Sequence, residues 1–198
     1  KVATVGQESF ESKLIKKISE ILVGLGFLEF SSYHLIKEDE AKKMKLKSDK
    51  TIEVEESKTE YKILRPDLLI PTLRIFSENK DNEYPQNIFE IGKIFSLDRK
   101  KETGIKEQTN LIIALSPANF TQAKQHLVYL FKILNLDYQL EKTTKYGLID
   151  GRIGKITFGN KEIGYIGEVH PQTLHDWNLK MPLAIIEINL DEVFEELK

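Results

Sequence analysis

The chain has 198 residues, enough for one well-buried core or two small domains, and its 40% apolar and 30% charged content is that of an ordinary soluble globular protein. A net charge of −2 argues against a protein that grips nucleic acid over a broad basic face, and the lack of cysteine removes disulfide frameworks, thiolate zinc sites and cysteine nucleophiles together. No apolar run approaches the roughly 18 residues of a membrane span, so no membrane partner is expected and the location is read as cytoplasmic.

The chain opens Lys1-Val2-Ala3 without an initiator Met or a signal peptide, and residues 1–198 read as a single module excised from a longer protein. Gln7 to Leu25 is predicted as a helix. At about 100° per residue, Phe10, Leu14, Ile15, Ile18, Ile21, Leu22 and Leu25 fill an arc of roughly 140°, with Lys13, Lys16, Lys17, Ser19 and Glu20 on the other side. Gly26 follows where a helix end favours positive φ. Phe27 to Leu35 reads as a strand, Lys37 to Lys50 as a solvated, lysine- and acid-rich stretch around a short helix, and Thr51 to Glu55 as a strand. Arg65-Pro66 is expected to begin a second helix that starts again or bends at Pro71 and runs to about Asn79.

Ile88 to Leu97 is a strong strand, Arg99 to Thr109 a charged connection, and Leu111 to Leu115 a fully apolar strand. Phe120 to Leu134 is an amphipathic helix. Tyr138 to Glu141, Arg152 to Phe158, Ile163 to Val169 and Leu183 to Leu190 read as strands, with Gly159-Asn160 as a hairpin turn and Pro171 to Trp177 as a short helix. Strands interleaved with helices predict an α+β fold. A clear hairpin makes the sheet mainly antiparallel, because a hairpin cannot join parallel strands.

Chemical motifs are sparse. His170 and His175 are five apart with Pro171 between them, off the i, i+4 spacing that puts two rings on one helix face, so no metal site is expected. Gly151-Arg152-Ile153-Gly154 lacks the helices that flank a nucleic-acid-clamping loop and reads as a turn entering a strand. Gly24-Leu25-Gly26 ends a helix rather than starting one, no Walker-type sequence exists, and neither Ser77 nor Ser116 has a glycine elbow. Glu90 and Asp98 share a face of one strand but lie far apart along it, which favours structural or surface roles. Lys42, Lys43, Lys45, Lys47 and Lys50 form the nearest approach to a basic patch, diluted by Glu38, Asp39, Glu40 and Asp49.

Four segments together resemble the beta subunit of phenylalanyl-tRNA synthetase. They are Leu25-Gly26-Phe27-Leu28-Glu29; Ile63-Leu64-Arg65-Pro66-Asp67-Leu68-Leu69-Ile70-Pro71; Ser77-Glu78-Asn79-Lys80 continuing through Pro85-Gln86-Asn87-Ile88-Phe89-Glu90-Ile91-Gly92-Lys93-Ile94-Phe95; and Ile163 to Pro171 with Pro182 to Leu190. They occur in the family's order across almost the whole chain, and the third is closer to the archaeal and eukaryotic branch. Glu55-Glu56-Ser57-Lys58 departs from the family's Asn-Pro before the Leu-Arg run. The resemblance implies a class II aminoacyl-tRNA synthetase-like antiparallel sheet flanked by helices, in a catalytic-like module that pairs with the catalytic alpha subunit.

It also implies that this module is inert alone. Class II enzymes hold the α-phosphate of ATP with two arginines, whose planar charge matches phosphate geometry. Where the family's Phe-Arg-x-Glu strand would place the first, this sequence has Phe95-Ser96-Leu97-Asp98; where a Gly-x-Gly-x-x-Arg motif would place the second, it has Glu187, Asn189 and Glu192. The expectation is therefore no catalytic residue and no cofactor in this segment, with ATP and Mg2+ used by the holoenzyme and tRNA(Phe) reached through it. Phe10, Leu14, Ile18, Ile21 and Leu25 are the expected interface with alpha, and part of that stripe is expected to be exposed. Arg65 is read as an ion pair or carbonyl cap, or else an RNA contact. The rival readings are a free-standing ATP-dependent ligase and a tRNA-binding module.

Overall fold

In the computed structural model, which describes residues 5–197, a seven-stranded sheet lies between two layers of helices. Helix α1 (Phe10–Gly24) starts at Ser9, whose hydroxyl oxygen accepts the Ser12 N–H, and stops at Leu25 before Gly26 at φ 85°. Strand β1 (Leu28–Glu29) follows, then β2 (Leu35–Lys37), α2 (Glu38–Lys43), a 3-10 turn (Ser48–Lys50) and β3 (Tyr61–Leu64). Helix α3 (Leu69–Glu78) leads into the long hairpin of β4 (Gln86–Leu97) and β5 (Ile105–Ser116), then α4 (Phe120–Leu134) and β6 (Gln139–Lys142). The chain ends with β7 (Leu148–Phe158), β8 (Lys161–Val169), α5 (Pro171–Asp176), β9 (Ala184–Asn189) and α6 (Leu190–Leu197).

The strand order is β1-β4-β5-β9-β8-β7-β6, antiparallel throughout except where β1 runs parallel to β4. Strand β5 explains the apolar run read from the sequence. Leu111, Ile113 and Leu115 face the layer of α1, α4 and α6, while Ile112 and Ala114 face the layer of α2, α3 and α5. A strand covered on both sides has no polar face to show. Helix α4 has the predicted bounds because Asn119 and Gln122 form a reciprocal cap at its start and Asn135 takes the left-handed conformation at its end.

Five expectations are corrected. The predicted strand Phe27–Leu35 is two pieces: the chain turns away from β4 after Glu29, and Ser32 donates its N–H and hydroxyl to Glu90 at 3.2 and 2.6 Å. Thr51–Glu55 is no strand and makes one bridge, Glu53 to Ile63. The helix expected at Arg65 begins at Leu69, because the Arg65 backbone is extended; its N–H bonds to His34 and its carbonyl accepts the Phe95 N–H. Pro71 then falls in the first turn, where no intrahelical N–H is needed. The charged connection shrinks to 98–104, since the β4 ladder continues to Leu97 opposite Ile105. Lys37–Lys50 is not all solvated: Glu40, Ala41 and Met44 are buried. Helix α6 is an addition, held by Leu190, Val193 and Phe194 at i, i+3, i+4 spacing.

Arg65 is fully buried and joins three segments. Its Nη1 donates to Glu90 Oε1 at 2.8 Å and to Ser32 Oγ at 2.7 Å, and its Nε donates to the Lys93 carbonyl at 2.7 Å. The guanidinium lies over Gly92, where a Cβ would come within 2.3 Å of Arg65 Nη2. Gly92→Ala is therefore expected to push the charge off its partners. Breaking a buried pair costs about 3–5 kcal/mol, which chemical denaturation will read; a loss under about 1 kcal/mol would mean that the guanidinium relocates without harm.

Candidate functional site

The helix layer containing α3 leaves part of the sheet open. A cleft of about 340 Å³ lies there, with a wall from Pro66 and Asp67, a floor from β5, β8 and β9, and Lys145 from the β6–β7 loop at its edge. Glu187 is its central group. Register places Glu187 opposite Ile112 on β5 and Tyr165 on β8, so all three side chains share one face. Only 2% of Glu187 is exposed. Its Oε1 accepts from the Leu68 N–H at 3.1 Å and from Asn110 Nδ2 at 2.8 Å, and its Oε2 accepts from the Tyr165 hydroxyl at 2.5 Å.

Asp67 works beside it, accepting the Ile70 N–H at 3.2 Å. The two carboxylates meet the start of α3, the end of a helix that attracts negative charge. Lys145 is the cation of the cleft; its Nζ is 3.7 Å from Asp67 and 4.5 Å from the Tyr165 ring centroid. Burial first, and then the Asp67 charge, raise the pKa of Glu187 above its ordinary 4.5, against the pull of Lys145, Tyr165 and Asn110. Burial and the neighbouring Glu187 push the Tyr165 phenol well up, so it remains a donor.

No guanidinium reaches this cleft. The protein has four arginines. Arg65 pairs with Glu90, Arg74 with Glu40 at 3.0 Å, and Arg152 with Glu168 at 2.8 Å. Arg99 is exposed in the turn after β4. A phosphate seated here would meet Asp67, Glu162 and Glu187 against Lys145. Like charges about 4 Å apart repel by about 4 kcal/mol near a protein surface.

The five positions read as degenerate do not form one site. Glu187 and Asn189 border the cleft, but Ser96 and Asp98 lie at the far end of the β4–β5 hairpin. Ser96 is roughly 20 Å along the strand from Glu90, which shares the row of Glu187, at about 3.3 Å per residue. Ser96 is exposed, and Asp98 shapes the turn by accepting the Lys100 N–H at 3.0 Å. Strand β4 outruns its neighbours, so its end does not mark the cleft; Ile94 is the β4 residue that lines it. Asn189 accepts the Asp191 and Glu192 N–H groups and so starts α6, while Glu192 pairs with Lys161 at 3.2 Å.

Arg65 is an internal ion pair, as one of its readings had it. Of the α1 stripe, Leu14 and Ile18 lie in the domain's own core, Ile21 and Leu25 pack partly against it, and Phe10 is 40% exposed. Leu14 and Ile18 therefore leave the expected interface. His170 caps α5 through its Nδ1, apart from the exposed His175, and among the described residues no cluster of His, Asp or Glu is arranged to hold a metal ion. Among them too, no helix is long and apolar enough to cross a membrane. Asp67, Asn110, Lys145 and Tyr165 escaped the sequence reading. The signal of Asp67, Asn110 and Tyr165 was polarity next to a helix start or inside a largely apolar strand, and Lys145, in the β6–β7 loop, gave none.

Residues 1–190 match the family described as phenylalanyl tRNA synthetase beta chain CLM domain. The chain belongs to this family. It is 35% identical over 182 residues to the phenylalanine–tRNA ligase beta subunit of Pyrococcus abyssi, covering 90% of this chain and 33% of that protein. It is 33% identical over 198 residues to that of Methanocaldococcus jannaschii, covering 96% of this chain and 35% of that one. The chain thus spans about a third of the length of these archaeal relatives. The fold is also that of pyrrolysyl-tRNA synthetase from Desulfitobacterium hafniense, with a TM-score of 0.78 over 94% of this chain and 69% of that one; at 16% identity this likeness shows the class II fold alone.

The raised pKa of Glu187 has a consequence for stability. The folded protein holds this proton more tightly than the unfolded chain, so folding loses stability as pH rises from 4.5 through the higher folded value. Glu187→Gln removes that titration. Relative to wild type, its stability is expected to improve as pH rises from 4.5 towards 7, read from denaturation midpoints; a constant difference would place the carboxylate outside the titration.

Proposed function

We propose that this CLM domain is a non-catalytic module of a phenylalanine–tRNA ligase beta subunit, one part of a longer chain working in the cytoplasm. It docks on the catalytic alpha subunit and supports the transfer of phenylalanine to tRNA(Phe) there, while ATP and Mg2+ bind on alpha. The observation that carries this reading is the charge of the cleft. Arginine side chains that could stabilise a developing phosphate charge are each held by a carboxylate elsewhere or lie outside the cleft, and Glu187 occupies its floor. Removing one such donor costs about 10²–10³ in rate, and a carboxylate in its place adds repulsion.

Apolar side chains left open on α1 and the following strand support this docking. Phe10, Val23 and Leu28 are 40%, 57% and 72% exposed. A free-standing ligase would need arginines that this cleft lacks.

Two measurements test the proposal on the full-length beta subunit. Co-expressed with the alpha subunit of the same organism, it is expected to co-elute in size-exclusion chromatography, and Val23→Asp with Leu28→Asp is expected to release alpha, since both side chains are exposed and the fold should survive. Calorimetry of beta alone with ATP and Mg2+ is expected to show no binding. A dissociation constant tighter than about 1 mM would refute the inert reading, and co-elution indifferent to both substitutions would move the docking surface elsewhere.

A further inference from the structure

We propose that a groove between the end of α2 and the β6–β7 loop binds an unpaired RNA strand, with Tyr146 as its stacking surface and lysines along its phosphates. The groove, about 490 Å³, is lined by Lys45, Lys145, Tyr146, His170 and Gln172 among others, and adjoins a hollow of about 510 Å³ at Lys142 and Thr143; Thr144 belongs to both. This site is separate from the cleft of Glu187, though Lys145 borders each.

Tyr146 is 46% exposed, and Lys45 Nζ sits 4.9 Å from its ring centroid. Exposed aromatic rings interleaved with cations are what a single strand uses, because every base has a π face and every linkage a charge. Among the described residues Lys45 in the groove and Lys142 in the hollow make no ion pair with an acid, whereas Lys42 and Lys43 are paired with Glu38 and Asp39. Asp150 is the acid lining the groove, and Lys145 is engaged from the cleft side by Asp67.

The surface is held from beneath. Gly147 has φ 88°, and a Cβ there would lie 2.9 Å from the Met44 methyl, so the loop closes directly on the buried end of α2. The Gly147 carbonyl accepts the His170 N–H at 2.8 Å. Lys45 itself is in the left-handed region at φ 51°, just past the end of α2, where glycine is the unstrained choice. The lysine at this strained position sets its ammonium beside the Tyr146 ring. The inference stands apart from the docking of alpha.

The test is photocrosslinking of a single-stranded oligoribonucleotide carrying 4-thiouridine, about 12 nucleotides long, to the full-length subunit in its natural assembly, with crosslinked peptides mapped by mass spectrometry. Crosslinks are expected between Lys142 and Leu148. Tyr146→Ala and Lys45→Gly should each lower their yield at least about fivefold, Tyr146→Phe should keep it, and Lys142→Gln supplies an exposed variant that does not perturb the turn. Lys45→Gly is expected to unfold at the same temperature as wild type or higher. Three phosphate contacts predict about a 20-fold loss of affinity between 50 and 200 mM salt. Absence of crosslinks in this segment, yields indifferent to all the substitutions, or equal competition by polyglutamate would overturn the proposal, the last assigning the groove to an acidic protein. Co-elution with alpha, measured on the same preparations, separates a failure of docking from a failure of RNA contact.

Discussion

The guanidinium of Arg65 lies where no water can share its charge, so Glu90 must remain beside it and Gly92 must remain bare above it. Those two requirements fix the course of three segments that are far apart in sequence. Ser32 turns off the sheet edge to bond the same carboxylate, the chain around Arg65 stays extended against β4, and β4 carries a glycine in mid-strand. The position of α3 follows, because it begins four residues after this anchor, and the cleft follows from α3. A side chain that in another protein could face a ligand is here the joint between the small β2–β3 sheet and the large one.

Glu187 shows the same conversion on the open part of the sheet. A carboxylate among apolar strands is tolerated only when its lone pairs are filled, and the Leu68 N–H, Asn110 and Tyr165 fill them. The group thereby ties the start of α3 to β5, β8 and β9. The polar groups at the centre of this class II-shaped sheet thus bond one another. Burial raises the pKa of Glu187 and so measures how far this network stands from solvent.

Much of this was legible in the sequence, and the failures have physical causes. Helix α4 was readable to the residue because its stripe, its cap at Asn119 and its left-handed Asn135 agree. The apolar runs announced β4, β8, β9 and the second half of β5, whereas Ile105 to Thr109 of β5 read as connection because it is charged. Arg65-Pro66 misled because a proline after an arginine looks like a helix start, and only the tertiary bonds to His34 and Phe95 hold that backbone extended. The α1 stripe misled in part, since periodicity gives which residues are apolar but not how much of the arc the domain's own sheet will cover; Leu14, Ile18 and Leu22 are covered and Phe10 is not. The cleft was hidden because Asp67, Asn110, Lys145, Tyr165 and Glu187 come from five separate segments. Only the ladder register brings Tyr165 and Glu187 side by side.

Lys145 links the two polar regions of the molecule. Its ammonium faces Asp67 and Tyr165 in the cleft, while the turn that begins at its carbonyl carries Tyr146 and Gly147 onto the end of α2. Shifting that turn would move the one cation of the cleft away from two carboxylates. Each would then be less compensated in a low-dielectric setting, where an unpaired charge is costly. Lys145 therefore belongs to the surroundings of both the groove and the cleft.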